Sequence, residues 1–295
     1  MTGPTSAPTT ATAAAPAAGS APRMAVVGSP PPLRISALGP LRVETGGRTL
    51  SYGDWRSGRA RRLFAFLLVH RFRWVPLDVV LEGLWPEVEP ARGLNNLNQS
   101  AWWLRGALDP EDRHPRRLRR VEETCRLDPG EGYAYDVEEF ERALAQADLS
   151  WGPGRRDRAA PHLRRAVELY SGDFLAELPY EEFASVERER LRDRFRRALG
   201  RLVRIEADAE RWDEVIPLSR RGVQDDPLSE EFQYALIRGL HRVGHRQEAL
   251  EAYHRFETAM VRELDLPPSE RMRALAVAVE GSGAHGPLRA RGPGG

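Results

Sequence analysis

The stretch Pro90 to Leu108, PARGLNNLNQSAWWLRGAL, gathers side chains suited to reading a surface rather than reacting with it. Drawn as a helix at about 100° per residue, it puts Leu94, Leu97, Ala101, Leu104 and Leu108 on one core-facing stripe. Arg92, Asn95, Asn96, Gln99, Trp102 and Trp103 project from the other side, with Asn98 and Arg105 on its flanks. Asn95, Asn96 and Asn98 are the only asparagines in the chain, although Asn is a poor helix former. An amide matches the N6 and N7 edge of adenine, and a guanidinium matches guanine O6 and N7. Two alternatives are open from the residues alone. Asn95 or Asn96 could cap the start of the helix, and the tryptophans could pack on a neighbouring element.

Catalytic patterns are missing. There is no GxxxxGK[ST] phosphate loop, no GxSxG and no HExxH. The seven histidines are scattered, and His241 with His245 form an i, i+4 pair without a third ligand, so no metal site or cofactor is expected. Cys125, the single cysteine, excludes an internal disulfide and reads as a small apolar filler. The acidic runs Tyr180-Glu181-Glu182 and Glu187 to Glu189 read as solvated helix faces laced by arginine, not as paired catalytic carboxylates. The expectation is a protein that is not an enzyme. With neither a long apolar run nor a signal-peptide pattern, its expected location is cytoplasmic and nucleoid-associated, with no membrane partner.

Elements that would position the reading helix precede and follow it. LRISALGPLRVE, Gly46-Gly47 and TLSY read as short strands joined by turns. GRARRLFAFLLVH, from Gly58, reads as a core helix with a basic entrance at Arg59, Arg61 and Arg62. LDVVLEGLW is a second helix ending before Pro86. HPRRLRRVEETCRLDPGEGYAYD reads as a hairpin with Glu122 and Glu123 at its tip and Tyr133 to Tyr135 offering a further pairing. Three helices closed by a hairpin make a winged helix-turn-helix, whose third helix enters the major groove. Base contacts are then expected from Arg92, Asn95, Asn96, Asn98, Gln99, Trp102 and Trp103. Phosphate contacts are expected from Arg59, Arg61, Arg62, Arg105, Arg116, Arg117, Arg119 and Arg120. The acidic tip runs against a wing lying on phosphates.

Charge divides the chain. Residues 33–130 hold 17 Arg against 12 acidic residues, net +5, and residues 131–280 hold 24 against 31, net −7. A basic front and an acidic back fit a nucleic-acid module joined to a protein-contact module. Lysine is absent and all 44 basic residues are Arg, which reads as codon bias in a GC-rich genome. After Asp136 the pattern is almost wholly helical. ERWDEVI resembles GHRQEAL, with Glu214 and Glu248 standing 34 residues apart, the period of tetratricopeptide-type helical hairpins. The expected organisation is a disordered tail over 1–32, a winged helix over 33–130, helical repeats over 131–280 and a second tail over 281–295.

The segments LGPLRVETGGRTL, WRSGRARRLFAFLLVHR, LEGLWPEVEPARGLNNLNQSAWWLRGAL and LYSGDFLAELPYEEFASVERERL, in that order, resemble the Streptomyces antibiotic regulatory protein family. That resemblance implies a mainly α protein: an α+β winged helix-turn-helix followed by an all-α, tetratricopeptide-like bacterial transcriptional activation domain. It implies sequence-specific activation of specialised-metabolite genes. The implied partners are double-stranded DNA bearing promoter direct repeats, RNA polymerase subunits and a second protomer. The alternative is an interaction scaffold whose winged helix docks a protein and no longer binds DNA, a reading supported by Glu122, Glu123 and the modest positive charge.

Overall fold

The computed structural model describes residues 32–109, 117–152 and 156–281. The two expected tails, apart from Pro32 and Gly281, lie outside the described residues, as does Arg116. The chain begins with β1 (Arg34–Ser36), β2 (Arg42–Thr45) and β3 (Arg48–Thr49), followed by α1 (Gly58–Val69), β4 (Val75–Pro76), α2 (Leu77–Leu84) and α3 (Pro90–Leu108). Next come β5 (Leu118–Val121), β6 (Thr124–Leu127) and β7 (Ala134–Tyr135). Helix α1 starts where the Ser57 hydroxyl accepts the Arg59 backbone N–H, and it buries Leu63 to Leu68 without a break. Helix α3 starts with proline in its first turn, a position that needs no donor.

The hairpin β5–β6 turns at Glu122 and Glu123, with Glu122 in the left-handed region (φ 49°). Strand β4 joins the hairpin on the β6 side, making a three-stranded sheet ordered β4-β6-β5. Cys125 is buried on β6, where burial pushes its thiol up to about 11 and leaves it inert. Tyr135 does not extend this hairpin. Strand β7 pairs in parallel with β1, completing a separate sheet ordered β3-β2-β1-β7 at the entrance to the helical half.

That half runs α4 (Asp136–Ser150), α5 (Arg156–Leu169), α6 (Ser185–Asp208), α7 (Trp212–Asp225), α8 (Glu230–Arg242), α9 (Arg246–Leu264) and α10 (Glu270–Gly281). Each helix packs on the next in the chain. Helices α7 and α9 begin at residues 212 and 246, so the 34-residue offset of the sequence is a spacing between hairpins. The structure is therefore mainly helical, a winged helix followed by helical repeats.

The winged helix and the helices share one apolar core, which runs from Leu33 to Phe232, while a second cluster from Leu236 to Val279 closes the far end. The join is also polar. Both carboxylate oxygens of Asp136 accept the Ala37 N–H, at 2.8 and 2.9 Å, and one accepts the Leu38 N–H. Glu177 accepts the Leu41 N–H on both oxygens at 2.9 Å. Burial pushes the Asp136 carboxyl up to about 6, although the N–H groups of Leu38, Ala37 and Val137 favour its charged form.

A few residues along, Arg71 at the end of α1 binds Glu141 of α4 and Glu187 of α6, and Arg190 binds the same two carboxylates. Burial pushes both carboxyls up, but the guanidinium hydrogen bonds outweigh it and hold both below 4.5. A depressed folded value gives stability that is present above 4.5 and lost as pH falls through the folded values. Arg71→Ala is expected to melt below the parent protein at pH 7, with the gap narrowing once the pH drops under 4.5. Melting curves recorded across that range check this; a gap independent of pH would assign the loss to packing.

Candidate nucleic-acid interface

Helix α3 buries Leu97, Ala101, Leu104 and Leu108, as the spacing predicts, together with Gly93, Ser100 and Ala107. Its N-cap is Glu89, with no side-chain cap hydrogen bond. The asparagines lie a full turn further in, so helix capping does not explain them. Arg92, Asn95, Asn98, Gln99 and Trp102 are exposed, Asn96 and Trp103 half-buried. Taking Asn95 as the centre at about 100° per residue, Gln99 and Trp102 fall within about 40° of it. Asn98 and Arg105 lie about 60 to 80° to one side, and Trp103 and Asn96 about 80 to 100° to the other.

Each side meets a different neighbour. On the first, Arg105 donates to the Leu118 carbonyl (3.1 Å), and Arg120 of β5 donates to Asn98 Oδ1 (3.1 Å), so this edge is joined to the wing. On the second, Arg59 of α1 donates to Asn96 Oδ1 (3.3 Å) and the Arg56 guanidinium sits 5.7 Å from the Trp103 ring centroid. Trp103 packs on the core and Trp102, 60% exposed, stacks edge-on to it with centroids 4.3 Å apart. The two tryptophans thus divide the packing and surface readings between them. Arg56 was not among the expected residues; its side chain is placed by a left-handed backbone (φ 53°) just before the Ser57 cap, which sequence pattern does not announce.

The expected phosphate set is corrected at four positions. Arg117 is fully buried: its Nε donates to Asp109 (2.8 Å), and its other nitrogens donate to the Pro129 carbonyl and the Thr45 hydroxyl. It is a core strut and cannot reach DNA. Arg61 and Arg62 pair with Glu177 and Glu181 of the helical half, so their charge is neutralised inside the join. Arg105 is occupied by the wing backbone. Arg59, Arg119 and Arg120 remain exposed around α3, Arg119 sharing Asp128 at 2.9 Å. Glu122 and Glu123 are exposed at the wing tip, where the hairpin spacing predicts them.

Among the described residues no group of three or more His, Cys, Asp or Glu side chains is placed to hold a metal, and no helix is long and apolar enough to cross a membrane.

A winged helix with an amide-rich third helix, built into a stack of helical hairpins, is the architecture of a transcriptional regulator. Residues 135–280 match the family model described as bacterial transcriptional activator domain. The chain is 25% identical over 244 residues to the transcriptional regulatory protein MoaR1 of Mycobacterium tuberculosis, covering 82% of this chain and 78% of that one. It is 26% identical over 259 residues to the regulatory protein DnrI of Streptomyces peucetius, covering 84% and 92%. The solved structure of Mycobacterium tuberculosis EmbR in complex with a low affinity phosphopeptide superposes with a TM-score of 0.65 at 23% identity, over 85% of this chain and 65% of that one, and shares its fold. The protein belongs to the Streptomyces antibiotic regulatory protein type of transcriptional activators, with a bacterial transcriptional activator domain as its second half.

Removing the Arg117 guanidinium leaves Asp109 buried beside an empty space, so Arg117→Ala should cost about 3 to 5 kcal/mol of folding stability. Arg119→Ala, on an exposed pair, should cost under about 1 kcal/mol. Urea unfolding of both variants checks the assignment; equal losses would refute the strut role.

Proposed function

We propose that the chain is a sequence-specific DNA-binding activator whose α3 reads the major groove with Arg92, Asn95, Asn98, Gln99 and Trp102. Arg59, Arg119 and Arg120 grip flanking phosphates on either side. The observation that carries this reading is the exposed face of α3, which has amides, a guanidinium and an indole and not one carboxylate. Elsewhere in this chain exposed helix faces are laced with Glu and Asp paired to Arg. Amides and arginine are the side chains that hydrogen-bond base edges, and acids would be repelled by the duplex. Asn96, held by Arg59, supports the helix from its edge. The acidic wing tip stays off the phosphate backbone, and the wing grips through Arg119 and Arg120 on the strand β5 behind it.

The helical half acts as the protein-contact module. Through it the activator recruits RNA polymerase subunits and pairs with a second protomer over direct repeats at a promoter, and the genes controlled are those of specialised-metabolite biosynthesis, as the family resemblance implies. The protein works in the cytoplasm at the nucleoid, without enzymatic activity or cofactor.

Replacing Asn95 or Gln99 with Ala is expected to weaken binding to the selected site by about 1 to 3 kcal/mol while binding to random DNA changes little. Salt-controlled gel shifts on both DNAs measure this, and equal losses on the two would remove the base-reading role. Absence of any retarded complex at low salt would favour the scaffold reading, in which the winged helix docks a protein and the acidic tip contributes to that contact.

A further inference from the structure

Asn98 differs from Asn95 in what holds its amide. The Asn95 side chain is exposed and has no hydrogen-bond partner among the described residues, so its amide can rotate to offer donor and acceptor together. Asn98 is also exposed, but its Oδ1 accepts from Arg120 Nη1 at 3.1 Å, across from helix to wing. A guanidinium has only donors. The flipped amide would point its NH2 group at that cation, two donors facing each other, so the flipped state is disfavoured. The carbonyl therefore faces the wing, and the Nδ2 donors have no partner among the described residues and are left to donate to a ligand.

We infer that Arg120 is a specificity-determining positioning residue: by holding Asn98 Oδ1 on the wing side, it makes the Asn98–Arg120 pair a donor-only reader that selects guanine. The inference rests on the base-reading role of α3. Guanine presents two acceptors, O6 and N7, to the major groove, whereas adenine presents the N6 donor beside N7. Adenine recognition by an amide needs its carbonyl to accept from N6. Here that oxygen is already shared with a cation, whose positive charge repels the N6 hydrogens and attracts the electronegative guanine edge. Thymine offers a single acceptor and its methyl group, and cytosine offers a donor, so guanine is the base with the most to gain. The same device on the other edge, Arg59 on Asn96, is longer, and Asn96, itself half-buried and about 100° from Asn95, supports the helix without reaching the stripe.

Selection of bound sequences from random double-stranded DNA by the full chain tests this, run in parallel for the parent, Arg120→Ala and Asn98→Asp. The parent is expected to enrich guanine at one position of each repeat. In Arg120→Ala that position alone should relax, admitting adenine at least tenfold more often, with the remaining motif unchanged. In Asn98→Asp the same position should move to cytosine, whose N4 donates to a carboxylate. Both side chains are exposed, so both variants are expected to fold, which circular dichroism checks. An Arg120→Ala motif identical to the parent's, with affinity lowered alike on selected and random DNA, would reduce Arg120 to a phosphate contact and overturn the inference while leaving base reading by α3 intact. A parent protein that enriches no motif at all would instead overturn the base-reading role on which the inference rests.

Discussion

Two carboxylates of the helical half hold the backbone of the winged helix at one short turn. Asp136 and Glu177 take the N–H groups of Ala37, Leu38 and Leu41, donors that the neighbouring strands leave unpaired and that burial would make costly. Around this turn the chain comes close to itself. Gly39 sits at φ 128°, and a Cβ there would fall 2.2 Å from the Ser171 hydroxyl, so only glycine fits. Phe174 bridges Leu38 and Gly39, and Phe66 of α1 meets Phe183 edge-on at 5.3 Å. The ion pairs of Arg61, Arg62 and Arg71 lie outward from this contact and add orientation to what the backbone bonds and apolar burial hold.

With its base held in this way, α3 is steadied from both edges. The wing holds one edge through Arg105 and Arg120, and the start of α1 holds the other through Arg59. Beneath it, Gly93 brings α3 close to Leu81 of α2. A helix restrained by side chains on both flanks and packed from below keeps its exposed stripe in one orientation, which is the condition for matching a fixed pattern of donors and acceptors.

Much of this was legible in the sequence. The bounds of α3, its buried stripe and the turn at Glu122 and Glu123 follow from hydrophobic period and strand alternation, which depend on local spacing. The 34-residue offset likewise marks the hairpin repeat. What was not legible depends on distant partners. Arg117 reads as a surface cation because its type is seldom buried; its burial requires Asp109 and Thr45, the latter 72 residues away. Arg61 and Arg62 stand at a basic helix entrance, and nothing near them in sequence reveals that Glu177 and Glu181 will neutralise them. Strand β7 could have extended the nearby hairpin, and its pairing with β1 is set by where the helical half must enter. Asparagine in the interior of a helix was a sound pointer to the exposed stripe, but which amide would be free and which held depended on arginines 22 and 37 residues distant.

The continuous core between winged helix and helical half has a geometric consequence on a duplex. With no flexible linker between Tyr135 and Asp136, the direction in which α3 would enter a groove on the proposed reading would also set the azimuth of the helical stack around the DNA axis. B-DNA repeats every 10 to 10.5 base pairs or so. Two protomers on sites a whole number of turns apart would then carry their stacks on the same side of the duplex, and a shift of about half a turn would set them on opposite sides. Rotational phase, as much as sequence, would then be part of what such a protein recognises.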